Sequence, residues 1–375
     1  MSRTDESKRF SVQYRLLSSS LRTARDFAER ISIEQTVEVP IEVVPDGYVR
    51  DNILGRVISV EQVGDNAYDA VISYSDDDVG GDFLQFLSIV LGNSSMYSGV
   101  LVTLIQLSPC VSSICSRPKF GVAGLRDLVR LSGGPLLMSA TKPVGLSVEE
   151  LAALAYNFAM GGMDFIKDDH GIVNQSSSPF RERVIASVEA VAAANAMTGR
   201  NAQYVPNITG NVTTLLERAM DAQELGAGGL MVAPALLGFG AVHALSQHRE
   251  LKVPLFSHPT FSGMNVVGQT GFSHGVYYGF LQRIIGMDAA IFPNFGGRFG
   301  FSQQACAQIA RACNESLAGF APILPTPGGG MTLDRVQDTR KTYGDDVMLL
   351  MGGALLKDKA GLVEACQTLS KAVGR

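Results

Sequence analysis

The chain of 375 residues lacks several features that mark particular classes of protein. Its net charge is −5, so it has no basic excess with which to bind nucleic acid or an anionic membrane surface. No apolar run is long enough to cross a bilayer, since even residues 347–356 are short and interrupted by glycines. The first ten residues are charged and contain no apolar segment typical of a secretory signal. We therefore expect a cytoplasmic protein with neither nucleic acid nor membrane among its partners.

Cysteine is scarce and shows no zinc-binding spacing. The five cysteines are Cys110, Cys115, Cys306, Cys313 and Cys366. We interpret them as reduced thiols. In contrast, 46% of the residues are hydrophobic and only 18% are charged, which indicates a large apolar core. A chain of this length suffices for one large domain and one small one.

The apolar segments divide the chain into two regions with different patterns. In residues 1–118, strands are predicted at 10–17, 55–62, 68–74 and 100–107, and helices at 21–33 and 83–91. This mixture predicts a small N-terminal α+β domain, which we expect to be ferredoxin-like.

Residues 119–375 instead alternate regularly between short apolar strands and helical segments. The predicted strands are 135–140, 163–167, 203–207, 229–234, 253–257, 289–293, 322–325 and 347–351. The helices that follow them are predicted at 148–160, 180–197, 212–225, 239–248, 275–285, 303–318, 333–343 and 360–373. Eight strand–helix repeats predict a (β/α)8 TIM barrel and an α/β fold class. A doubly wound sheet is the main alternative, but no GxGxxG follows the first strand.

In such a barrel the reactive groups come from the C-terminal ends of the strands. The candidates that follow predicted strands are Lys142, Lys167, Asp169, His170, Asn207, His258, Asn294, Arg298, Gly328, Gly329, Gly330, Gly352 and Gly353. The other three histidines, His243, His248 and His274, are interpreted as structural or surface residues.

The segment GGMDFIKDDH, residues 161–170, carries the strongest chemical signal. Alternation along a strand would point Lys167 and Asp169 to the same face. A lysine and a carboxylate together at a strand end are costly unless a metal or substrate compensates for their desolvation, so we predict a metal site. The alternative is an ordinary salt-bridged strand end.

Three further groups extend this site. Lys142, at the end of the first barrel strand, is a candidate proton-transfer base, although it could simply pair with a neighbouring acid. The glycines at 328–330 and 352–353 lack side chains and precede helices, so their N–H groups can approach a phosphate. His258 alone is as readily structural as catalytic.

These residues resemble a known family. GGMDFIKDDH resembles the metal-site motif of the RuBisCO large-chain superfamily, in which CO2 carbamylates the lysine and the acids after it bind Mg2+. SATKPVGLS, residues 139–147, resembles that family's lysine loop, and residues 207–209 its Asn-Ile-Thr strand end. PTPGGGM and LMGGAL resemble its phosphate loops.

The resemblance implies a role for each of these positions. Metal ligation is implied for carbamylated Lys167, Asp169 and His170, with Mg2+ as the ion and Mn2+ as the alternative. Catalysis is implied for Lys142, Lys167, His258 and Arg298, and substrate binding for Asn207 and the two glycine loops. Segments around Glu34 and Asn93 resemble those that reach into a partner's active site, which implies a head-to-tail homodimer with shared sites.

The sequence also departs from the carboxylase pattern. His170 stands where the family has glutamate, Pro259 where carboxylases have a phosphate-binding arginine, and Arg298 where they have the lysine that steers CO2. Val144 replaces the second lysine of the family's lysine loop, and no histidine ends the sixth strand. The chain is therefore identified as a RuBisCO-like protein that is not a carboxylase.

The remaining groups imply enolisation of a ketose monophosphate. The first hypothesis is an isomerase of methionine salvage that acts on 5-methylthioribulose 1-phosphate and yields 1-methylthioxylulose or 1-methylthioribulose 5-phosphate. Ile291 and Phe292 are expected to accommodate the methylthio tail. The alternatives are 2,3-diketo-5-methylthiopentyl-1-phosphate enolase, a decarboxylase of an oxo-sugar-acid phosphate, and a catalytically silent sugar-phosphate binder or stress-response factor.

Overall fold

The computed structural model describes residues 6–375, which form two compact units. The N-terminal unit comprises the described residues up to Cys115 together with Ser262–Tyr277. The barrel unit comprises Ser116–Phe261 and Tyr278–Arg375. The domain boundary expected after residue 118 stays a prediction.

The strands of residues 6–375 are numbered here in chain order. They are β1 Arg9–Leu17, β2 Arg56–Gly64, β3 Ala67–Ser75, β4 Val100–Gln106, β5 Leu136–Thr141, β6 Phe165–Asp168, β7 Gln203–Val205, β8 Leu230–Val232, β9 Leu255–Ser257, β10 Gly271–Phe272, β11 Ala289–Pro293, β12 Leu324–Gly328 and β13 Met348–Leu350.

The α-helices are numbered in the same way. They are α1 Leu21–Glu34, α2 Asp76–Val79, α3 Phe83–Leu91, α4 Pro109–Ile114, α5 Gly121–Val129, α6 Val148–Met160, α7 Phe180–Thr198, α8 Leu215–Glu224, α9 Pro234–Leu237, α10 Phe239–Gln247, α11 Gly263–Val266, α12 Leu281–Ile284, α13 Gln303–Asn314, α14 Val336–Tyr343, α15 Gly353–Leu356 and α16 Leu362–Ala372. Short 3₁₀ or π turns lie at Glu6–Lys8, Ile41–Val43, Val49–Ile53, Asn93–Met96, Val212–Thr214, Val276–Phe280 and Leu333–Arg335.

The N-terminal unit contains a five-stranded sheet in the order β10-β4-β1-β3-β2. The strands β1 to β4 pair antiparallel, and the short strand β10 joins β4 in parallel. Alternate residues of β1 and β3 are buried, as expected for a sheet with one face on the core. Helix α1 buries Phe27, Ala28 and Ile31 along one side, which is the apolar face that its sequence periodicity predicts.

The barrel unit contains eight parallel strands in two four-stranded sheets, ordered β12-β11-β9-β8 and β13-β5-β6-β7. A parallel bridge between Asn207 and Met231 joins the sheets on one side. On the other side Gly328 of β12 lies against Leu350 of β13, since a methyl group built on Gly328 would come within 2.9 Å of Leu350 Cδ2. Every barrel strand overlaps its predicted segment, so the predicted α/β barrel is confirmed.

Apolar side chains fill the barrel interior. Inward residues such as Met138, Phe165 and Phe256 form one buried cluster, to which α5 contributes Leu125. This packed core leaves the strand ends as the places where polar side chains can collect.

Two smaller expectations also have structural outcomes. The five cysteines are free thiols, as interpreted from their spacing. Within residues 6–375, no helix combines the length and the apolar character needed to cross a bilayer.

Candidate active site

The C-terminal ends of β5 and β6 bring together the lysines and acids that the sequence singled out. Because Ala140 pairs with Lys167 and Thr141 with Asp168, Lys142 and Asp169 leave the sheet side by side. Lys142 Nζ lies 3.6 Å from Asp169 Oδ1. Lys142 also borders the loop after β13, since a methyl group built on Gly352 would lie 3.3 Å from Lys142 Nζ.

Lys167 is buried at the end of β6, where only 2% of its surface is exposed. Its Nζ donates a hydrogen bond of 2.8 Å to the carbonyl oxygen of Asp168. Burial lowers the pKa of Lys167 to about 8, against the attraction of Asp169 and with the help of the Lys142 charge. A larger fraction of this amine than of an exposed lysine is therefore neutral at pH 7, and the neutral amine is the form that can react with CO2.

Asp169 and His170 lie at the mouth of the barrel above this lysine. His170 Nδ1 is 3.4 Å from Asp169 Oδ2. Burial acts to raise the pKa of Asp169, but His170, Lys167 and Lys142 together hold it below its usual range. Asp169 is thus a carboxylate surrounded by nitrogen groups, and it is partly open to solvent.

His258, at the end of β9, stacks on His170 with 4.7 Å between ring centroids and 14° between ring planes. The backbone N–H of Thr260 donates to His258 Nδ1 at 3.1 Å. This bond makes Nδ1 an acceptor and therefore places the proton of the neutral ring on Nε2. Burial, and then the charges of Lys167 and His170, lower the pKa of His258, so the ring stays neutral.

Asp168 has contacts of a different kind, which sequence reasoning missed. Its carboxylate accepts hydrogen bonds from Tyr204 Oη at 2.5 Å, Arg183 Nε at 3.2 Å and the backbone N–H of Asn207 at 3.0 Å. Arg183 is buried completely. The signal was present in the sequence, because Arg183 interrupts the apolar face of the predicted helix between Phe180 and Val184.

Arg183 and Asn207 also hold the loop that follows β6. Arg183 donates to the carbonyl oxygens of Ser178 at 2.7 Å and Val173 at 2.9 Å. The side chain of Asn207 donates to the carbonyl of His170 at 2.9 Å and of Ile172 at 3.1 Å. Asn207 was predicted to bind substrate, which stays a prediction. Its contacts show it bracing the loop that carries His170.

The glycine loops after β11 and β12 lie against each other. The backbone N–H of Arg298 donates to Gly329 O at 3.0 Å, and a methyl group built on Gly330 would come within 3.0 Å of Gly297 Cα. Gly329 and Gly330 both have positive φ, at 82° and 117°, which side chains disfavour. The loop containing Gly352 and Gly353 follows on the neighbouring strand β13.

Arg298 lies exposed on the loop after β11, with its guanidinium 5.6 Å from the ring centre of Phe299. The expectation for the residues before this loop is wrong. Ile291 belongs to the buried barrel cluster, and Phe292 packs fully buried between Tyr278 and Tyr343. Neither side chain is free to form a wall for a substrate tail, because both are needed to pack β11.

Glu34 and Asn93 lie together in the N-terminal unit. Asn93 Nδ2 donates to Glu34 Oε1 at 2.9 Å. The neighbouring Gln35 fixes this corner, since its amide donates to the carbonyls of Ser88 and Ile89 and its oxygen accepts from the N–H of Ser94. The two predicted partner-site residues are therefore one hydrogen-bonded pair.

The donor chemistry fits a divalent cation only if Lys167 takes part. Among residues 6–375, no three His, Cys, Asp or Glu side chains form a metal-binding group by themselves. Asp169 supplies carboxylate oxygens, the donors that Mg2+ and Mn2+ prefer, and His170 supplies a ring nitrogen, which is a better donor to transition metals than to Mg2+. A carbamate on Lys167 would add a third donor group, through its oxygens.

Comparisons with known proteins find that this chain is similar to one family. Residues 121–298 match the model of the ribulose bisphosphate carboxylase large chain, catalytic domain. The chain is 36% identical over 339 residues to a 5-methylthioribulose-1-phosphate isomerase of Rhodospirillum rubrum, covering 90% of this chain and 89% of that protein. It is 31% identical over 283 residues to a putative 2,3-diketo-5-methylthiopentyl-1-phosphate enolase of Shouchella clausii, covering 75% of each.

A solved structure agrees over almost the whole length. The chain superimposes on a Rubisco-like protein from Rhodopseudomonas palustris with a TM-score of 0.88 and 32% identity, covering 99% of both chains.

Proposed function

The chain belongs to the RuBisCO large-chain family as a RuBisCO-like protein, and we propose that it is a metal-dependent isomerase of a ketose monophosphate, with 5-methylthioribulose 1-phosphate as its substrate. The observation that carries this proposal is the meeting of Lys142, Asp169 and His170 above the buried Lys167. The similarity to the Rhodospirillum rubrum isomerase supports the choice of substrate.

Lys167, Asp169 and His170 would hold the cation, with Lys167 as its carbamate. A bound Mg2+ supplies Lewis acidity that polarises a substrate carbonyl and acidifies the neighbouring C–H group. The neutral amine of Lys167, favoured by its burial, is the chemical requirement for carbamate formation that this chain already meets.

Lys142 is proposed to move the proton. Its Nζ lies 3.6 Å from Asp169 Oδ1, at the C-terminal end of the strands where the substrate would bind. Lys142 would take a proton from one substrate carbon and return it to the other, so that the isomer forms with no net change in composition.

His258 is proposed to act as a hydrogen-bond donor. Because Thr260 occupies Nδ1, the proton on Nε2 is directed away from that bond and can be donated to a substrate oxygen that gains negative charge. The backbone N–H groups of Gly329, Gly330 and Gly353 would bind the single phosphate.

We further propose a homodimer in which each N-terminal unit completes the partner's site. The support is the Glu34–Asn93 pair, which Gln35 holds in place although neither residue packs into a core. A carboxylate and an amide fixed in this way are suited to contacting the hydroxyl groups of a sugar phosphate.

The test is solvent exchange in D2O with 5-methylthioribulose 1-phosphate, Mg2+ and bicarbonate, followed by 1H and 31P NMR. Deuterium at carbon and a new phosphate ester are expected with wild-type protein, and neither with EDTA or with Lys167→Met. Lys252→Met, which changes an exposed lysine, is the matched control and should behave as wild type. If folded wild-type protein neither exchanges nor converts this substrate, the isomerase proposal is wrong.

A second candidate is the enolase reaction, favoured by the similarity to the Shouchella clausii protein. The same assay with 2,3-diketo-5-methylthiopentyl 1-phosphate decides between them. Faster turnover of the diketone than of the ketose phosphate would identify the enolase.

A further inference from the structure

A second polar cleft lies at the N-terminal ends of β6 and β7, on the face of the barrel unit opposite Lys142 and Lys167. Its volume is about 380 Å³, which lies within the range of roughly 300–1,000 Å³ typical of small-molecule sites. Three arginines line it, namely Arg130, Arg200 and Arg375, and Asp164 is its one acid. Apolar side chains, among them Leu131 and Met163, form the rest of the wall.

Asp164 neutralises only one of the three arginines. Its two oxygens accept from the two terminal nitrogens of Arg375 at 2.6 Å each, and Oδ2 also accepts from the backbone N–H of Leu137 at 2.7 Å. The ion pairs among residues 6–375 include no acid for Arg130 or Arg200. Neither Arg130 nor Arg200 is therefore held in an ion pair.

Both of these arginines are exposed residues that line the cleft. The Arg200 guanidinium lies against Gly162, where a methyl group would come within 2.6 Å of Nη1, and it donates a long bond of 3.4 Å to Gly162 O. Arg130 ends helix α5 in the left-handed conformation, with φ of 55°. Glycine is the usual residue at such a helix end, because a side chain there is sterically strained. The Arg130 side chain thus occupies a position that the backbone disfavours.

The geometry points to a binding site for a small phosphate ester in this cleft. Guanidinium groups bind phosphate oxygens through paired N–H donors, and two unpaired arginines match the two charges of a phosphomonoester. The Arg375–Asp164 pair forms a fixed polar wall, and Leu131 and Met163 offer an apolar surface to the carbon part of the ligand. The site is separate from the glycine loops, because it lies at the opposite ends of the strands.

Arginine modification read residue by residue tests this proposal. Phenylglyoxal labelling followed by peptide mass spectrometry is run with inorganic phosphate, with glycerol 3-phosphate, and with NaCl at equal ionic strength. Each phosphate probe is expected to slow labelling of Arg130 and Arg200 by roughly fivefold or more, since bound phosphate occupies their donors. The exposed Arg22 and Arg25 on α1 should be unaffected. Phosphate bound at the glycine loops does not alter this readout.

Two glycine substitutions separate binding from backbone strain. Arg130→Gly relieves the left-handed conformation, so stability should be equal or higher, while protection of Arg200 should require roughly tenfold more phosphate. Asn66→Gly relieves the same φ of 55° far along the chain and should leave protection unchanged. Equal labelling of Arg130 and Arg200 in phosphate and NaCl, or unchanged Arg200 protection in Arg130→Gly, would overturn the proposal.

Discussion

At the scale of single residues, the site depends on side chains whose charge state is set by burial and by neighbouring charged groups. Lys167 is almost fully enclosed, and its pKa of about 8 follows mainly from the loss of water around its amine. Asp169 experiences the opposite balance, because three nitrogen groups outweigh its partial burial and lower its pKa. Lys167 and Asp169, at the same strand end, are therefore affected differently. The amine of Lys167 loses its proton more easily than usual, and the carboxylate of Asp169 stays ionised.

His170 decides the charge of the proposed cation site. His170→Glu replaces a neutral donor with a carboxylate, so we expect Mg2+ to bind more tightly by roughly tenfold and to be preferred more strongly over Mn2+. Metal titration followed by calorimetry measures this. Ser177→Glu adds the same charge to an exposed position on the same loop and is the control. Equal Mg2+ affinities for His170→Glu, Ser177→Glu and wild type would show that His170 is not a ligand.

Asp78 in the N-terminal unit gives a pH prediction away from the active site. Burial raises the pKa of Asp78 to about 7, against the charge of Arg9 and together with that of Asp77, and Oδ2 has no hydrogen-bond partner in the described structure. In the unfolded chain an aspartate ionises near pH 4, so between about pH 4 and 7 the folded form holds a proton that the unfolded form has lost. The free energy of unfolding therefore falls as pH rises through this interval.

Asp78→Asn should remove this part of the pH dependence. Urea unfolding at pH 5 and pH 8 should show a smaller loss of stability in Asp78→Asn than in wild type. Asp65→Asn, at an exposed position, should follow wild type. A loss of the same size in all three proteins would mean that Asp78 ionises normally in the folded state.

At the scale of elements, the loop after β6 is held by one buried network that joins β6, α7 and β7. Asp168, Arg183 and Tyr204 come from these three elements, and their hydrogen bonds fix the carbonyls of the loop that carries His170. Strands β6 and β7 are only four and three residues long, so they offer few backbone hydrogen bonds to the loop. Side-chain bonds therefore position this loop.

Removing one member of this network should lower the free energy of unfolding more than breaking an ion pair at the surface does. Arg183→Met leaves the Asp168 charge buried and is expected to lower the free energy of unfolding by about 3–5 kcal/mol. Tyr204→Phe removes one donor and should cost about 1–3 kcal/mol. Arg181 lies on the same helix as Arg183, and Arg181→Met breaks its partly exposed ion pair with Asp221 of α8, which should cost less than about 1 kcal/mol. Denaturant unfolding compares the three, and an Arg183→Met protein as stable as Arg181→Met would contradict the network.

At the scale of the whole molecule, closing eight parallel strands into a barrel collects residues that are far apart in the chain. Lys142 and Gly352 are separated by more than half of the sequence, yet a methyl group on Gly352 would lie 3.3 Å from Lys142 Nζ. Closure of the barrel also places polar groups at both ends of its strands. The proposed catalytic residues lie at the C-terminal ends, and the arginine cleft lies at the N-terminal ends.

Subunit mixing tests the proposed shared site. Lys167→Met lacks the barrel half of the site and Asn93→Ala the N-terminal half, so each homodimer should be inactive or nearly so. A mixed dimer restores one complete site, and random mixing should recover about a quarter of the wild-type activity. Native mass spectrometry, with one variant labelled with 15N, checks that the mixture exchanges subunits. Recovery of no activity from an exchanging mixture would place both halves of a site in one subunit.

The sequence by itself determined where the helices and barrel strands lie and which polar residues follow the strand ends. Apolar periodicity and local caps are short-range properties, so α6 begins at Val148, where Ser147 and Glu150 form a capping box, and all eight barrel strands lie where their apolar segments predict them. Once a barrel is inferred, the ends of its strands follow, and Lys142 and Asp169 are expected to be neighbours.

Only the tertiary structure decided how those neighbours are paired. The stacking of His258 on His170, the enclosure of Asp168 by Arg183 and Tyr204, and the burial of Ile291 and Phe292 all depend on contacts between distant segments. No local pattern specifies such contacts, because a side chain's partner is set by the packing of whole elements and not by its sequence neighbours.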